Sequence, residues 1–365
     1  MSLLQLLQKI PDPRVQRTRR HELIDLLAIA LCATIAGADN WVETVEFAQA
    51  HQAWLQRFFF FFFCIASHDT FARVFRMLDA QLLEQLLQQW LQGLSGGVSG
   101  HVAIDGKTVC SPHHSLHLVS AWACEQRLLL GQRKVDGKSN EITAIPQLLK
   151  LLQLGGCVVT IDAMGCQKAI AKQITDQGAN YVLSLKGNQR HMFNVCKKYF
   201  ESAEPGTGKQ TFSESNKDHG RLETRQYQVS QLPPALKRAA QHWPQLRSVV
   251  RVVRTRQLRG KQASEQTSSY YLSSLSPETP AQALAQYIRG HWSVENQLHW
   301  SLDVGMGDDG ALSYKDQAAY NQALLRRMAQ QMLQADTTLK VGLKAKRKRA
   351  GWDLAYLERV MGITV

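Results

Sequence analysis

The chain has 365 residues and carries 43 lysines and arginines against 30 aspartates and glutamates, a formal charge of +13. That length allows two or three domains with sizeable cores, and that charge favours a polyanionic partner, nucleic acid or an anionic membrane surface, over a neutral one. Seven cysteines, an odd number with no C-x-x-C spacing, argue against a disulfide framework or a zinc knuckle and fit a reducing cytosol.

In chain order, residues 1–96 read as helical. HELIDLLAIALCATIAG has apolar residues at helical spacing, and GADN breaks it before WVETVEFAQAHQAWL. DTFARVFRML follows, with Ser67 or Asp69 as a candidate cap, and then AQLLEQLLQQWLQGL. A helix-turn-helix and a plain helical bundle give the same pattern. No signal-peptide layout precedes these helices, and the longest apolar stretch, LIDLLAIALCATIAGA, contains Asp25 and falls short of the roughly 20 residues a membrane span needs. FFFFFF, Phe58 to Phe63, fits neither a helix face nor a half-buried strand.

LSGGVSG, residues 94–100, reads as a linker, and from 101 the period changes. HVAID, LHLVSAWAC and RLLLGQRKV read as three strands, EITAIPQLLKLLQL as a helix and CVVTID as a strand. QKAIAKQITDQ and ANYVLSLK add a helix and a strand, a mixed order that predicts an α/β sheet. Over 211–275 helix signals vanish, and TRQYQVSQL, LRSVVRVVRTRQL and EQTSSYYLSSL are strand-like. Helix returns over 280–303 and beyond, including the basic LKAKRKRAGW, either a solvated helix face or a phosphate contact. The expected division is a helical domain 1–96, an α/β domain 97–310 with a β-rich insertion at about 205–278, and a basic helical region 311–365.

Two acids close apolar runs, Asp105 in VAIDGKT and Asp162 in VVTIDAMG. On adjacent parallel strands both would emerge at the carboxyl edge of the sheet, where open α/β folds place their sites. Together they would repel and raise each other's pKa unless a cation lay between them, and hard oxygen ligands suit Mg²⁺ or Mn²⁺. Taken singly, each acid also fits an Asx turn or a helix cap. A third acid, Glu295 in HWSVENQLHWSLDV, has Trp292, Leu298 and Leu302 at i−3, i+3 and i+7, so it borders an apolar helix face. His291 and His299 at i−4 and i+4 leave a zinc site open as an alternative. Three carboxylates from two strand ends and a helix suit a two-metal phosphoryl-transfer site.

VAIDGKTV, HLVSAWA, KSNEITAIPQLL, VVTIDAMGCQ, YVLSLKGNQ, DHGRLETR and HWSVENQLHWSLDV together resemble the DDE transposases of bacterial insertion sequences, in the branch of the H-repeat-associated proteins. The resemblance covers almost the whole chain, including IPDPR and SHDTFARVF near the start and LKAKRKRAGWD near the end. It implies an RNase H-like mixed-sheet core with a β-rich insertion, preceded by an all-helical domain associated with binding element ends. It places Asp105, Asp162 and Glu295 as catalytic, metal-holding acids of a two-metal Mg²⁺ or Mn²⁺ site. It makes Lys107, Lys186, Asn188, Gln189, His219, Arg221, Arg225, Arg289, His291 and Trp292 candidate DNA or active-site contacts. The implied partner is double-stranded DNA, both element ends and target, bound by a homodimer in the bacterial cytoplasm at the nucleoid, with no membrane.

Bland readings stand beside these. Lys186 fits an exposed turn, Arg221 and Arg225 a charged strand face, Trp292 a core residue, and Glu141 a first-turn acid behind an Asn140 cap. Some positions depart from the family pattern. FFFFFFC replaces a mixed segment, Cys110 stands where an arginine is usual, and His291 and Leu302 occupy the arginine and lysine positions flanking the glutamate. The rival functions are a catalytically silent, transposase-derived DNA-binding protein and a metal-dependent DNA nuclease without strand transfer. The charge disfavours a zinc hydrolase of small substrates.

Overall fold

A computed structural model describes residues 2–58, 64–95, 97–111, 114–135, 140–202, 209–218, 221–258, 264–310 and 316–363. The N-terminal helices are α1 (Leu3–Leu7), α2 (Leu23–Ala36), α3 (Trp41–Ala50), α4 (Gln52–Leu55), α5 (His68–Met77) and α6 (Ala80–Ser95). Helix α2 is apolar on every side and buried nearly throughout, as such a helix must be, and it ends on Gly37 at φ 118°. It packs against α13 (Ala318–Ala335) and α14 (Leu343–Trp352), which is followed by α15 (Leu354–Met361). These C-terminal helices and the N-terminal ones share one apolar cluster, which also takes in Ala103, Trp122 and Leu129 from the sheet. Among the described residues no single helix is long and apolar enough to cross a membrane.

Part of the basic LKAKRKRAGW segment is internal. Arg347 is buried and donates to the carbonyls of Thr34 at 3.0 Å, Ala38 at 2.9 Å and Gly305 at 3.2 Å, while Lys346 donates to the Leu333 carbonyl at 3.0 Å. These two cations satisfy carbonyls at the C-terminal ends of α2 and α13, where the helix dipole favours positive charge. They therefore neither form a solvated face nor reach phosphate.

Among the described residues the sheet has nine strands in the order β3-β2-β1-β4-β5-β9-β8-β7-β6. They are β1 (His101–Ser111), β2 (His114–Ala123), β3 (Leu128–Lys134), β4 (Val158–Ile161), β5 (Asn180–Leu185), β6 (Lys209–Asp218), β7 (Arg221–Gln231), β8 (Ser248–Leu258) and β9 (Ser264–Ser273). β4 runs parallel to β1 and β5 parallel to β4, while β2 is antiparallel to both β1 and β3. Five strands in the order 3-2-1-4-5 with only the second reversed form the RNase H-like core. The four-stranded antiparallel insertion extends that sheet through β9, which pairs with β5. Helices α7 (Glu141–Leu149), α8 (Lys168–Asp176) and α9 (Arg190–Ser202) cover one face, where Val102, Ile104, Val159 and Ile161 join their apolar side chains. After α10 (Lys237–Ala240), α11 (Ala281–Gly290) covers Tyr227, Val229, Val250 and Val252.

Three expectations change. β1 does not stop at Asp105: its pairing with β4 ends at Ile104, but its ladder with β2 continues to Ser111. β6, the polar KQTFSESNKD, carries too little apolar alternation to read as a strand and is the edge of the sheet. The helix expected over 280–303 is interrupted, with a π-helical stretch, Val294–His299, between α11 and α12 (Trp300–Met306). The residues after Phe58 in the phenylalanine run lie outside the described residues.

Asp25 supplies a stability prediction. It sits 5% exposed in the first turn of α2, where burial and then the charge of Glu22 push its carboxyl up to about 6. The folded chain then holds a proton that the unfolded chain releases, so stability falls as pH rises from about 4 to 6 and stays lower above. Asp25→Asn should remove that slope and stabilise the fold at pH 7 by about 2 kcal/mol. Urea midpoints at pH 4.5 and pH 7.5 check this, and parallel pH profiles for the two chains would count against it.

Candidate active site

The chain leaves β1 to build β2 and β3 on one side, then crosses over to β4 on the other. The topological switch point therefore lies between β1 and β4, and its carboxyl edge is where open sheets place ligands. Ile104 is paired with Ile161, so the next residues along, Asp105 and Asp162, lie side by side at that edge. Asp162 closes the turn after β4, its Oδ1 accepting from the amides of Met164 at 3.0 Å and Gly165 at 3.3 Å. The Asx turn read from the sequence is thus present, and it uses one of the two carboxylate oxygens.

Asp105 is half-buried, and its carboxyl is pushed up to about 6. Burial is the largest cause. The charges of Asp162, Glu141 and Glu295 push the same way, against one backbone hydrogen bond from Gly106. Asp162 and Glu295 therefore both act electrostatically on Asp105, and Glu141 joins them. Among the described residues no three His, Cys, Asp or Glu side chains converge closely enough to hold a metal ion. The donor set nevertheless fits a hard cation: it is all carboxylate oxygen, and a dication would relieve the repulsion acting on Asp105.

Glu295 lies in the π-helical stretch and is exposed, while Val294, Leu298 and His299 beside it are buried. π-turns inside helices recur at functional sites. Trp292, read both as a DNA contact and as a core residue, is 59% exposed. The two histidines part company. His291 Nδ1 lies 2.9 Å from Thr160 Oγ1, which meets His101 Nε2 at 2.7 Å. His299 Nδ1 lies 3.8 Å from Asp105 Oδ2, and its buried Nε2 has no hydrogen-bond partner. Burial pulls His291 down to about 4 and His299 to about 3, so both rings are neutral at pH 7.

Lys107, two residues past Asp105, turns to the other side of the site. Its ammonium bonds both oxygens of Asp303 at 2.6 and 2.7 Å and reaches Asp309 at 3.5 Å. The bridge ties β1 to α12, the helix that continues from Glu295. Lys186 and Asn188 are exposed in the turn after β5. Asn188 donates to the Ala163 carbonyl and Gln189 to the Cys166 carbonyl at 3.0 Å, so this turn is stitched to the one that follows Asp162. Arg289 is exposed on α11 and pairs with Glu214 at 2.9 Å. Arg221 and Arg225 are half-buried on β7, and Arg225 pairs with Glu223. These insertion-side arginines belong to a different part of the sheet from the acids. His219 lies outside the described residues.

Residues 96–332 match the family described as "Transposase DDE domain", and residues 4–91 match one described as "DDE_Tnp_1-associated". The chain belongs to the DDE transposase family. Among curated proteins, this family member is 37% identical to "Putative transposase YncI" of Escherichia coli O157:H7, over 99% of this chain and 94% of that protein. It is 34% identical to "H repeat-associated putative transposase YhhI" of Escherichia coli K12, over 98% of this chain and 97% of that protein. A cryo-EM structure of a piggyBac transposase synaptic complex with hairpin DNA matches with a TM-score of 0.47 at 12% identity, covering 98% of this chain and 76% of that one.

Glu141, read from the sequence only as a first-turn helix acid, has surroundings that reading did not foresee. Its first-turn position behind the Asn140 cap is as expected, with Asn140 Oδ1 accepting from Ile142. Its side chain, however, folds back to the carboxyl edge and is only 13% exposed. The available signal was Gly106 in VAIDGKT: a glycine beside a candidate acid marks a place where another group approaches the backbone closely.

Proposed function

We propose that this DDE-family protein is a transposase that binds the ends of an insertion sequence, cleaves DNA there and joins the released 3′-hydroxyl to a target. The observation that carries the reading is the pair Asp105 and Asp162, side by side at the switch point of an RNase H-like sheet, with the charge of Glu295 acting on Asp105. When bound there, Mg²⁺ or Mn²⁺ supplies Lewis-acid chemistry that activates the attacking oxygen and stabilises the leaving one. Asp105, Asp162 and Glu295 would hold it. The Asx turn fixes the Asp162 carboxylate before substrate arrives, and the Lys107–Asp303 bridge fixes α12 against β1. Exposed Trp292 offers a stacking face for a base, and Lys186 offers a phosphate contact. The helical segment 1–96 would take the element end. A homodimer would pair two ends.

A second reading, a silent DNA-binding relic, has its own observation. Cations beside the scissile phosphate lower the cost of its developing charge. Lys107 is engaged by Asp303 and Asp309, His291 is neutral, and Leu302 is buried.

One assay separates these readings and the nuclease. The purified chain is incubated with a duplex bearing the element's ends and a labelled target, in Mg²⁺ and in EDTA. The transposase reading expects Mg²⁺-dependent cleavage at the ends and joined product. Cleavage without joining would make the protein a nuclease, and binding without cleavage would make it a relic.

A further inference from the structure

Glu141 belongs to α7, in the layer on the opposite face of the sheet from α11, yet its carboxylate reaches the carboxyl edge of β1. Two contacts hold it there. Glu141 Oε1 lies 2.7 Å from His117 Nε2, and His117 Nδ1 lies 2.8 Å from Thr108 Oγ1 on β1. His117 is paired with Thr108 across the β1–β2 ladder, so the imidazole stands beside its anchor. Glu141 therefore comes from a helix, but its position is set by the strand that carries Asp105.

The approach to the β1 backbone is close. A Cβ placed at Gly106 would lie 2.1 Å from Glu141 Oε1 and 3.0 Å from His117 Nε2. The φ of Gly106 is not in the left-handed region, so backbone conformation does not require glycine here. What a side chain there would displace is the carboxylate. Glu141 thus lies against Gly106, the residue next to Asp105, and its charge acts on Asp105.

We propose that Glu141 is a fourth carboxylate of the divalent-cation site, with His117 as the positioning residue that orients it. The assignment deepens the transposase reading and rests on it. Its logic is that of metal sites generally. Ligating carboxylates are themselves hydrogen-bonded, and the groups that orient them matter nearly as much as the ligands. The chain Thr108–His117–Glu141 is such an arrangement, and an acid serving only as a first-turn helix residue has no need of it. A fourth acid also raises the negative charge that selects a small, hard dication over a lone ammonium group.

The test uses the full chain and Mn²⁺ alone, with free Mn²⁺ followed by its EPR signal. Glu141→Gln should weaken Mn²⁺ binding by about 10–100-fold. Gly106→Ala keeps every charge but collides with the carboxylate, and it should weaken binding in the same direction. Asp176→Asn, on the outer side of α8 where Asp176 pairs with Lys172, should leave binding unchanged. If Asp162→Asn weakens binding while Glu141→Gln matches the unaltered chain, the assignment is overturned and the transposase reading stands. If neither weakens it, both fall. A measurement without any variant covers the case in which Glu141→Gln does not fold. In the unaltered chain with labelled histidines, bound Mg²⁺ should shift the ring resonances of His117, because the ion engages the carboxylate that His117 holds. Resonances that stay fixed while Mg²⁺ binds would overturn the assignment.

Discussion

Asp308→Ala should destabilise the protein by about 3–5 kcal/mol, the range for removing one partner of a buried ion pair. Asp308 is 0% exposed, and its partners Arg327 and Arg326 are 1% and 2% exposed. Arg327 donates to both Asp308 oxygens, at 3.3 and 3.0 Å, and Arg326 lies 3.8 Å away. Burial alone would push the Asp308 carboxyl up, but the two guanidinium groups more than offset that and hold it below the usual carboxylate range. Deleting the acid leaves Arg327 desolvated without its carboxylate partner and Arg326 with only the more distant charge of Asp39. Against a typical total of about 5–15 kcal/mol, that is a large fraction of the stability. Asp308→Asn keeps acceptor capacity without charge and should cost less than the alanine change. The damage would also reach the candidate site, because the same turn carries Asp309, which meets Lys107. Urea unfolding of both variants measures the effect. A loss under about 1 kcal/mol for Asp308→Ala would mean that the pair is not desolvated as its burial indicates.

Much of this architecture was legible because periodicity and strand-end chemistry are local properties. The change of period at residue 101 marks the first strand, and each of the strands VVTI and NYVLSL lies within the run read for it. The place of Asp162 was legible for the same reason: an apolar run that stops on an acid followed by Ala-Met-Gly is a strand ending in a turn. The place of Asp105 was read half correctly. Its strand runs on because β2 supplies a partner through Ser111, and no local pattern reveals which of two neighbouring strands ends first. Glu295 was placed by a 3.6-residue period, and the π-helical stretch breaks that period and leaves it exposed. Glu141 was hidden because its neighbours, His117 and Gly106, are 24 and 35 positions away along the chain. The bridge from Lys107 to Asp303 was hidden for the same reason, since the two lie 196 residues apart.

The central claim is that Asp105 and Asp162 hold a catalytic cation rather than merely ending strands, and Asp162→Asn tests it most directly. The substitution is unusually clean. Asp162 Oδ1 accepts the Met164 and Gly165 amides, and the carbonyl oxygen of an asparagine can accept the same two bonds. The turn should survive, with a stability change within about 1 kcal/mol. What the variant loses is one negative charge and one hard ligand at the edge where Asp105 already feels Asp162. Metal catalysis contributes several kcal/mol of transition-state stabilisation, and each 1.36 kcal/mol is tenfold in rate, so cleavage of the end-bearing duplex in Mg²⁺ should fall by about 10³-fold or more. DNA affinity should hold, since removing an acid from a basic chain costs no phosphate contact. The measurement is single-turnover cleavage by the parent chain and by Asp162→Asn, each with its DNA affinity. Loss of cleavage with retained binding and folding is the predicted result; equal cleavage by the two chains would contradict the account.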